Sequence, residues 1–299
     1  MSPQSQAQKP RWGQARRLAF IDLRLQYDGR INRRDLIAFF EISTPQASAD
    51  LALYQSLAPQ NLEYDPRARV YVALDTFCPL FGRTAATRYL DEINRLARGV
   101  IELDESFVGF VPPTGIVATP ARAIESVEVA TIVRAIRDGV ALRVQYQSMD
   151  QPEPQRLLLS PHAMGFDGLR CHIRAWCHAR RMFRDFAIGR LKIEEVVAEA
   201  EAVDSEEDRG WTTHVAVVLV PHPKLSPRQR EVVMHDYNMS DGRLVLNCRK
   251  AMLFYTLRHL NLEALSVTDN PAHQHVVIAN TNEVAQWIEE DRRGNVLPG

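Results

Sequence analysis

Gly168-Leu169-Arg170-Cys171-His172-Ile173-Arg174-Ala175-Trp176-Cys177 lies near the middle of the chain and sorts its residues into two sets. Side chains alternate across a β-strand, so Arg170, His172 and Arg174 share one face while Cys171, Ile173, Ala175 and Cys177 share the other. The second set reads as core and the first as the wall of a cationic pocket. From Arg156 to Lys192 eight basic residues stand against two acidic ones, Asp167 and Asp185. Guanidinium groups fixed on a sheet suit bidentate contacts to phosphate or carboxylate, which points to an anionic ligand. A solvated polar face with local ion pairs fits the same alternation.

The strand sits among others. Ala141 to Gln147, Gln155 to Ser160, Leu169 to Cys177 and Arg184 to Leu191 are extended stretches, separated by turns at Gly165-Phe166-Asp167-Gly168 and Ala179-Arg180-Arg181-Met182. A helix from Ile124 to Asp138 precedes them and stops at Gly139. Short strands behind one helix predict a small, strongly bent sheet or barrel.

Upstream, the pattern predicts three helices and a hairpin. Trp12 to Tyr27 carries a helical stripe ended by Asp28-Gly29, and Asn32 can cap a helix from Arg33 to Phe40. Thr44 caps a third helix with Pro45 at its first turn, with Ala49, Leu53 and Leu57 expected inward. Asp65-Pro66-Arg67-Ala68 then joins two short strands. This is the winged helix-turn-helix pattern, whose third helix enters the major groove of DNA. The exposed residues of that helix are expected to be Thr44, Gln46, Ala47, Ser48 and Asp50, with Arg33, Arg34, Arg67 and Arg69 as phosphate contacts. The electrostatic footprint is modest, because residues 1 to 75 hold ten basic residues against eight acidic ones. A helix over Thr84 to Arg98 and a proline-rich stretch, Val111-Pro112-Pro113 to Thr119-Pro120, form a joint to the middle domain.

Downstream, Glu194 to Asp208 contains eight acidic residues and no basic one, the composition of a solvated connector. Beyond it, strands at His214 to Val220, Arg243 to Asn247 and His275 to Ala279 alternate with helices at Arg228 to Asp236, Ala251 to Leu260 and from Asn280 onward. That order predicts a compact α+β unit. The expected domains are 1–78, winged helix-turn-helix; 79–120, helical linker; 121–200, the ligand-sensing unit; and 209–292, a C-terminal α+β unit.

At 299 residues the chain needs more than one core. Its 45% hydrophobic and 24% charged composition is that of a globular protein, no apolar run approaches membrane-spanning length, and the polar start MSPQSQAQKP lacks an apolar signal core. A cytoplasmic location is expected. A net charge of -1 argues against indiscriminate nucleic-acid binding. Only Lys9, Lys192, Lys224 and Lys250 are lysines among 36 basic residues, so the cationic chemistry is arginine's. The cysteines, Cys78, Cys171, Cys177 and Cys248, have no metal-binding spacing, and Cys171 and His172 fall on opposite strand faces. No metal and no cofactor are expected. Nucleophile-elbow, phosphate-loop, zincin and dinucleotide motifs are missing, so no enzymatic activity is expected.

Assembled in order, Tyr146-x-Ser148, Arg156, Ser160-Pro161-His162, Gly168-Leu169-Arg170-x-His172-x-Arg174-Ala175 and Arg184-Asp185-Phe186 with Arg190 resemble the WYL-domain transcriptional regulators. The likeness is strongest to the subgroup controlling bacterial phage-defence islands, the BREX and CBASS regulators. Pro221-His222-Pro223-Lys224-Leu225-Ser226 and Asp236-Tyr237-Asn238-Met239 resemble that subgroup's tail, and Cys171-His172-Ile173 stands where the family has its name-giving Trp-Tyr-Leu. The resemblance implies an α+β multidomain protein: a winged helix-turn-helix, an Sm- or SH3-like WYL β-barrel, and a small WCX-type C-terminal domain. It also implies a homodimeric repressor of a phage-defence operon that binds a pseudo-palindromic double-stranded operator. An anionic effector, a nucleotide or nucleic-acid fragment, would be sensed by Tyr146, Ser148, His162, Arg170, His172, Arg174, Arg184 and Arg190. Two alternatives come from other classes: a metal-dependent nucleic-acid-processing enzyme, which needs clustered carboxylates, and a non-regulatory interaction scaffold.

Overall fold

A computed structural model describes residues 12–81, 85–198 and 203–293. The chain divides into two compact units, Met1–Ala118 and Thr119–Gly299.

In the first unit, α1 (Trp12–Asp28), β1 (Arg30–Ile31), α2 (Arg33–Phe40) and α3 (Thr44–Leu57) lead into β2 (Leu62–Asp65) and β3 (Val70–Ala73). The sheet order is β1-β3-β2. Strand β1 is too short to carry a sequence pattern, and only its pairing of Arg30 with Val72 and Ile31 with Tyr71 defines it. Asn32 caps α2 through a capping box with Asp35, and Ser43, one residue earlier than expected, caps α3 ahead of Pro45. Helix α4 (Ala85–Ala97) packs back on this unit, with Tyr89 stacked on Tyr27 at 3.8 Å and buried Glu92 accepting from Ser106 Oγ at 2.6 Å. The expected helix begins at Thr84, which lies outside the described residues.

The buried face of α3 is rotated from the expected one. Ala47, Asp50, Leu51 and Tyr54 are buried, whereas Ala49 and Leu57 are exposed. The sequence pattern places polar residues outward, yet two of them are internal partners. Asp50 is ion-paired with Arg17 Nε at 2.6 Å. Tyr54 donates to Asp22 and accepts from Asn61 Nδ2 at 3.0 Å, while Asp22 also takes the amides of Leu80 and Phe81 at 3.1 and 3.0 Å. A fully hydrogen-bonded buried network of this kind is compatible with a core, and sequence periodicity cannot tell it from a wet face.

The second unit opens with α5 (Ser126–Asp138), terminated by Gly139 in the left-handed region. Strands β4 (Ala141–Tyr146), β5 (Gln155–Phe166), β6 (Cys171–Cys177), β7 (Met182–Ala187) and β8 (Leu191–Val197) follow, in the antiparallel order β7-β6-β5-β4-β8. The sheet is not a closed barrel: β7 and β8 occupy opposite ends of this order and do not pair with each other among the described residues. They are nonetheless joined by a 3-10 turn, Ile188–Arg190, so the sheet must bend enough to bring those ends together there. Its core face, with Leu142, Val144, Leu159, Ile173 and Phe186, packs with Ile132 of α5 in one buried cluster.

Strand β5 runs well past the expected end at Ser160. It is interrupted by a register shift between Pro161 and Ala163, which face Ala175 and Arg174, leaving His162 as the extra residue of a bulge. Bulges tolerate proline within a strand, which is why Pro161 does not end it.

Residues 199–202 of the acidic connector lie outside the described residues. Its end is ordered into a 3-10 turn, Ser205–Glu207, and α6 (Arg209–Thr212), with Asp208 fully buried instead of solvated. Then β9 (His214–Pro221), α7 (Pro227–Asp236), β10 (Leu244–Arg249), α8 (Leu253–His259), β11 (Val276–Ile278) and α9 (Thr281–Arg293) complete the chain. The sheet order β10-β9-β11 places the near-continuous apolar run of β9 centrally, with its Val217 and Leu219 in one core with Leu257 and Val284.

Candidate functional site

Two constellations matter, one in each unit. In the first, α3 presents Thr44 exposed and Gln46 and Ser48 half-buried at its N-terminal end. Ser48 Oγ donates to the Thr44 carbonyl at 3.0 Å and accepts from Arg33 Nη1 at 3.3 Å, which ties the start of α2 to the same surface. Gln46 Nε2 donates to Asp50 at 3.2 and 3.3 Å. Ala47 cannot belong to this surface, because it is fully buried on the core side of α3. Arg34, Arg67 and Arg69 are exposed. The wing turn is built by Asp65 Oδ1, which accepts from the amides of Arg67 and Ala68 at 2.8 and 3.1 Å, with Arg69 at φ 57° turning the chain into β3.

In the second unit, Tyr146, Arg170, His172 and Arg190 converge on a cavity of about 580 Å³. Helix α8 and the residues after it form the opposite wall, contributing Tyr255, Arg258, His259, Asn261 and Glu263. Arg170 is set by the β5–β6 turn, where Asp167 Oδ1 accepts from the amides of Leu169 and Arg170 at 2.8 and 2.6 Å. His172 is 7% exposed and lies at 5.1 Å from the Tyr255 ring. Burial holds its imidazole below the ordinary value against the opposing pull of Asp167, so it is neutral at pH 7. Arg170 Nε and His172 Nδ1 are buried with no hydrogen-bond partner among the described residues. Buried polar atoms cost free energy unless a partner completes them.

The carboxylates on the cavity wall are mostly committed. Asp167 holds the turn, while Asp185 accepts from Arg174 Nη1 and from the Tyr255 hydroxyl, each at 3.3 Å. Arg170, Arg190 and Arg258 enter none of the ion pairs among the described residues. The cavity wall thus carries three guanidinium groups outside these ion pairs, together with the Glu263 carboxylate.

The other four expected pocket residues are elsewhere. Arg174 shares the face of His172 but lies where the end of the connector covers the strand. It is 4% exposed, with Nε and Nη2 on Asp208 at 2.7 and 3.0 Å. His162, swung out by the bulge, contacts the same carboxylate through Nε2 at 2.9 Å. Asp208 also accepts from the Trp211 amide at 3.1 Å, capping α6. Burial alone would raise the Asp208 carboxyl; the hydrogen bonds from His162 and Arg174 win and hold it well below the usual carboxylate range. The ion-paired alternative for the cationic strand face is thus realised at Arg174, and the pocket alternative at Arg170 and His172. Arg184 is exposed beside Asp185 and projects to the other face of β7. Ser148 accepts from the Asp150 amide at 3.3 Å within its own turn and does not line the cavity.

Comparison with known proteins agrees with this architecture. The family model for the BrxR transcriptional regulator winged helix-turn-helix domain matches residues 13–95, the WYL domain model matches 128–196, and the model for the BrxR transcriptional regulator C-terminal dimerization domain matches 214–284. The DNA-binding transcriptional repressor CapW of Stenotrophomonas maltophilia is 66% identical over 97% of this chain and 97% of its own. The CapW of Pseudomonas aeruginosa is 43% identical over 94% of each chain, and that of Escherichia coli strain KTE188 is 40% identical over 95% of this chain and 94% of its own. The proteasome accessory factor B/C (PafBC) of Arthrobacter aurescens overlaps with a TM-score of 0.24 at 17% identity, covering 96% of this chain and 51% of that one. This chain thus spans about half the length of that structure, and so loose an overlap carries no weight. A winged helix in front of a WYL domain and a dimerization domain is the organisation of a regulator rather than an enzyme. The chain belongs to the BrxR/CapW family of WYL-domain transcriptional regulators.

Proposed function

We propose that the protein is a homodimeric, DNA-binding transcriptional repressor of a phage-defence operon whose affinity for its operator is set by an anionic effector. The repressor half is supported by the winged helix, by the dimerization domain and by relatives that carry the name of DNA-binding transcriptional repressors. The sensor half is carried by one observation, the cavity in which Arg170, Arg190 and Arg258 enter no ion pair among the described residues, beside Arg170 Nε and His172 Nδ1, which have no hydrogen-bond partner among them. Thr44, Gln46 and Ser48 read base edges, while Arg33, Arg34, Arg67 and Arg69 hold phosphates and fix the register. A two-fold symmetric dimer matches a pseudo-palindromic site. Effector regulates only if it binds the DNA-competent and DNA-released states with different affinity. His162, Arg174 and Asp208 shape the WYL unit instead of touching the effector.

Sequencing the DNA that the protein retains from its own genome tests this reading. A single enriched promoter containing an inverted repeat, upstream of defence genes, is expected. Retention of genomic DNA without an enriched site would refute it.

A further inference from the structure

We infer that two copies of the chain associate by packing the outer faces of their C-terminal sheets against each other, with Ala216, Val218, Val220 and Val245 at the centre of the contact. This rests on the proposal that the protein is a homodimer. It names the surface through which the dimer forms, which the match to a dimerization domain does not do.

Strand β9 reads His214-Val215-Ala216-Val217-Val218-Leu219-Val220-Pro221, with no polar residue between its ends. An antiparallel strand with one face in water alternates apolar and polar residues, whereas an unbroken apolar run belongs to a strand covered on both faces. The chain's own helices cover one. Val215, Val217 and Leu219 join Leu253 and Leu257 of α8 and Val284 of α9 in a single core. Residues of the opposite parity share the other face: Ala216, Val218 and Val220, with Val245 of β10 paired to Val218 and Val277 of β11 paired to Val220. None of these five belongs to that core.

Only the ends of this outer face are capped. At one end His222 is buried and its Nε2 meets the Thr268 carbonyl at 2.9 Å. At the other, the Arg249 guanidinium lies over the Trp211 ring at 4.6 Å. Between them Ala216, Val218 and Val220 are partly exposed and Val245 is 50% exposed. An apolar strip of this kind on an antiparallel sheet marks a surface that meets another protein.

The chemistry of the strip selects the partner. Neither β9 nor β10 contains an acidic residue, and the strip itself is alanine and valine, so it offers no hydrogen bond or charge to a nucleic acid or a polar peptide. Sheets pack face to face about 10 Å apart by interdigitating such side chains. A second copy brings the identical strip under two-fold symmetry, and the cores of homodimer interfaces are the most apolar kind. All five residues fall inside the 214–284 segment matched by the dimerization-domain model. Helix α8, which walls the arginine-lined cavity, packs on the opposite face of the sheet. The cavity therefore stays outside this contact, and each copy keeps its own.

Analytical ultracentrifugation of the full-length protein over a wide concentration range tests this, together with the rate of subunit exchange between tagged and untagged copies, which reads a weakening even when dissociation is too tight to weigh. Val245→Lys sets two ammonium groups against each other across the two-fold axis and should weaken the dimer by about a hundredfold or more. Val245→Thr keeps the β-branched shape that suits a strand and adds one hydroxyl per copy, and should weaken it by about tenfold, with exchange correspondingly faster. That variant carries the test should the lysine variant fail to fold. Val232→Lys, at a 63% exposed position on α7, should leave dissociation and exchange as in wild type. A dimeric wild type whose dissociation and exchange are unchanged by both Val245 substitutions would overturn the sheet-face contact and leave the homodimer standing. Weakening by Val232→Lys alone would move the interface to the helix layer. A wild type that stays monomeric at every concentration would overturn the homodimer itself.

Discussion

Asp208→Ala is expected to destabilise the Thr119–Gly299 unit by about 3–5 kcal/mol, the usual cost of stripping the partner from a buried charge. The carboxylate is fully buried, takes two hydrogen bonds from Arg174, one from His162 and one from the Trp211 amide, and so pins the end of the acidic connector to strands β5 and β6. Removing it leaves a 4% exposed guanidinium whose remaining ion pair among the described residues is with Asp185. Asp291 on α9 also acts on Arg174 electrostatically. Scanning calorimetry on the full chain should show the corresponding transition falling by roughly 2–4 °C for each kcal/mol. A loss below about 1 kcal/mol would mean that the cluster rearranges around its missing member, outside the expected cost of a broken buried pair.

The same cluster makes a prediction in pH. Asp208 is depressed in the folded state, so its contribution is present above the unfolded carboxyl value of about 3.9 and is lost as pH falls through its lower folded value. Asp185 and Asp291 are pushed up by burial and act in the opposite sense, favouring the fold as pH falls toward their raised values. Asp208→Asn removes the first effect and preserves much of the shape. The stability gap between wild type and Asp208→Asn should therefore be full at neutral pH and shrink below about 4.

The second large effect concerns DNA. Replacing Thr44, Gln46 and Ser48 together with alanine should erase most discrimination between operator and random duplex, a loss of about 10- to 100-fold, given about 1–3 kcal/mol for a good base contact. Alanine favours helix, so α3 should survive the change. Arg33→Ala with Arg34→Ala should weaken all duplexes alike and flatten the dependence of affinity on salt. Competition binding at two salt concentrations separates the two outcomes. Retained discrimination in the α3 variant would show that the base contacts lie elsewhere.

Much of this architecture is legible in the amino-acid sequence alone. Pro45 after a capping residue, the Asp65-Pro66 turn and the alternation through Arg170, His172 and Arg174 depend on local rules, and local rules can be read from local residues. The remainder is decided by distant partners. Asp22, Asp50 and Asp208 look like solvated acids until Tyr54, Arg17 and Arg174 are seen to claim them. His162 leaves the pocket because of a bulge that only the pairing with β6 reveals. Half of the cavity comes from α8, whose Tyr255, Arg258 and His259 are separated from Arg170 by more than a whole domain's strands, and no periodicity links them. The sequence does carry one signal for that half: Arg258 and His259 close a short helix in which Leu253 and Leu257 are the buried residues, so the basic pair has to face something other than its own core.

The most direct test of the sensor account is the affinity of the full-length protein for its own operator, measured by fluorescence anisotropy at constant ionic strength while a nucleoside monophosphate is added. Allosteric coupling of ordinary size predicts a shift of about fivefold or more in wild type. That shift should vanish in an Arg170→Ala, Arg258→Ala double variant. An identical shift in both proteins would place the nucleotide at the DNA surface, and no shift in wild type at saturating nucleotide would contradict the coupling of cavity to operator.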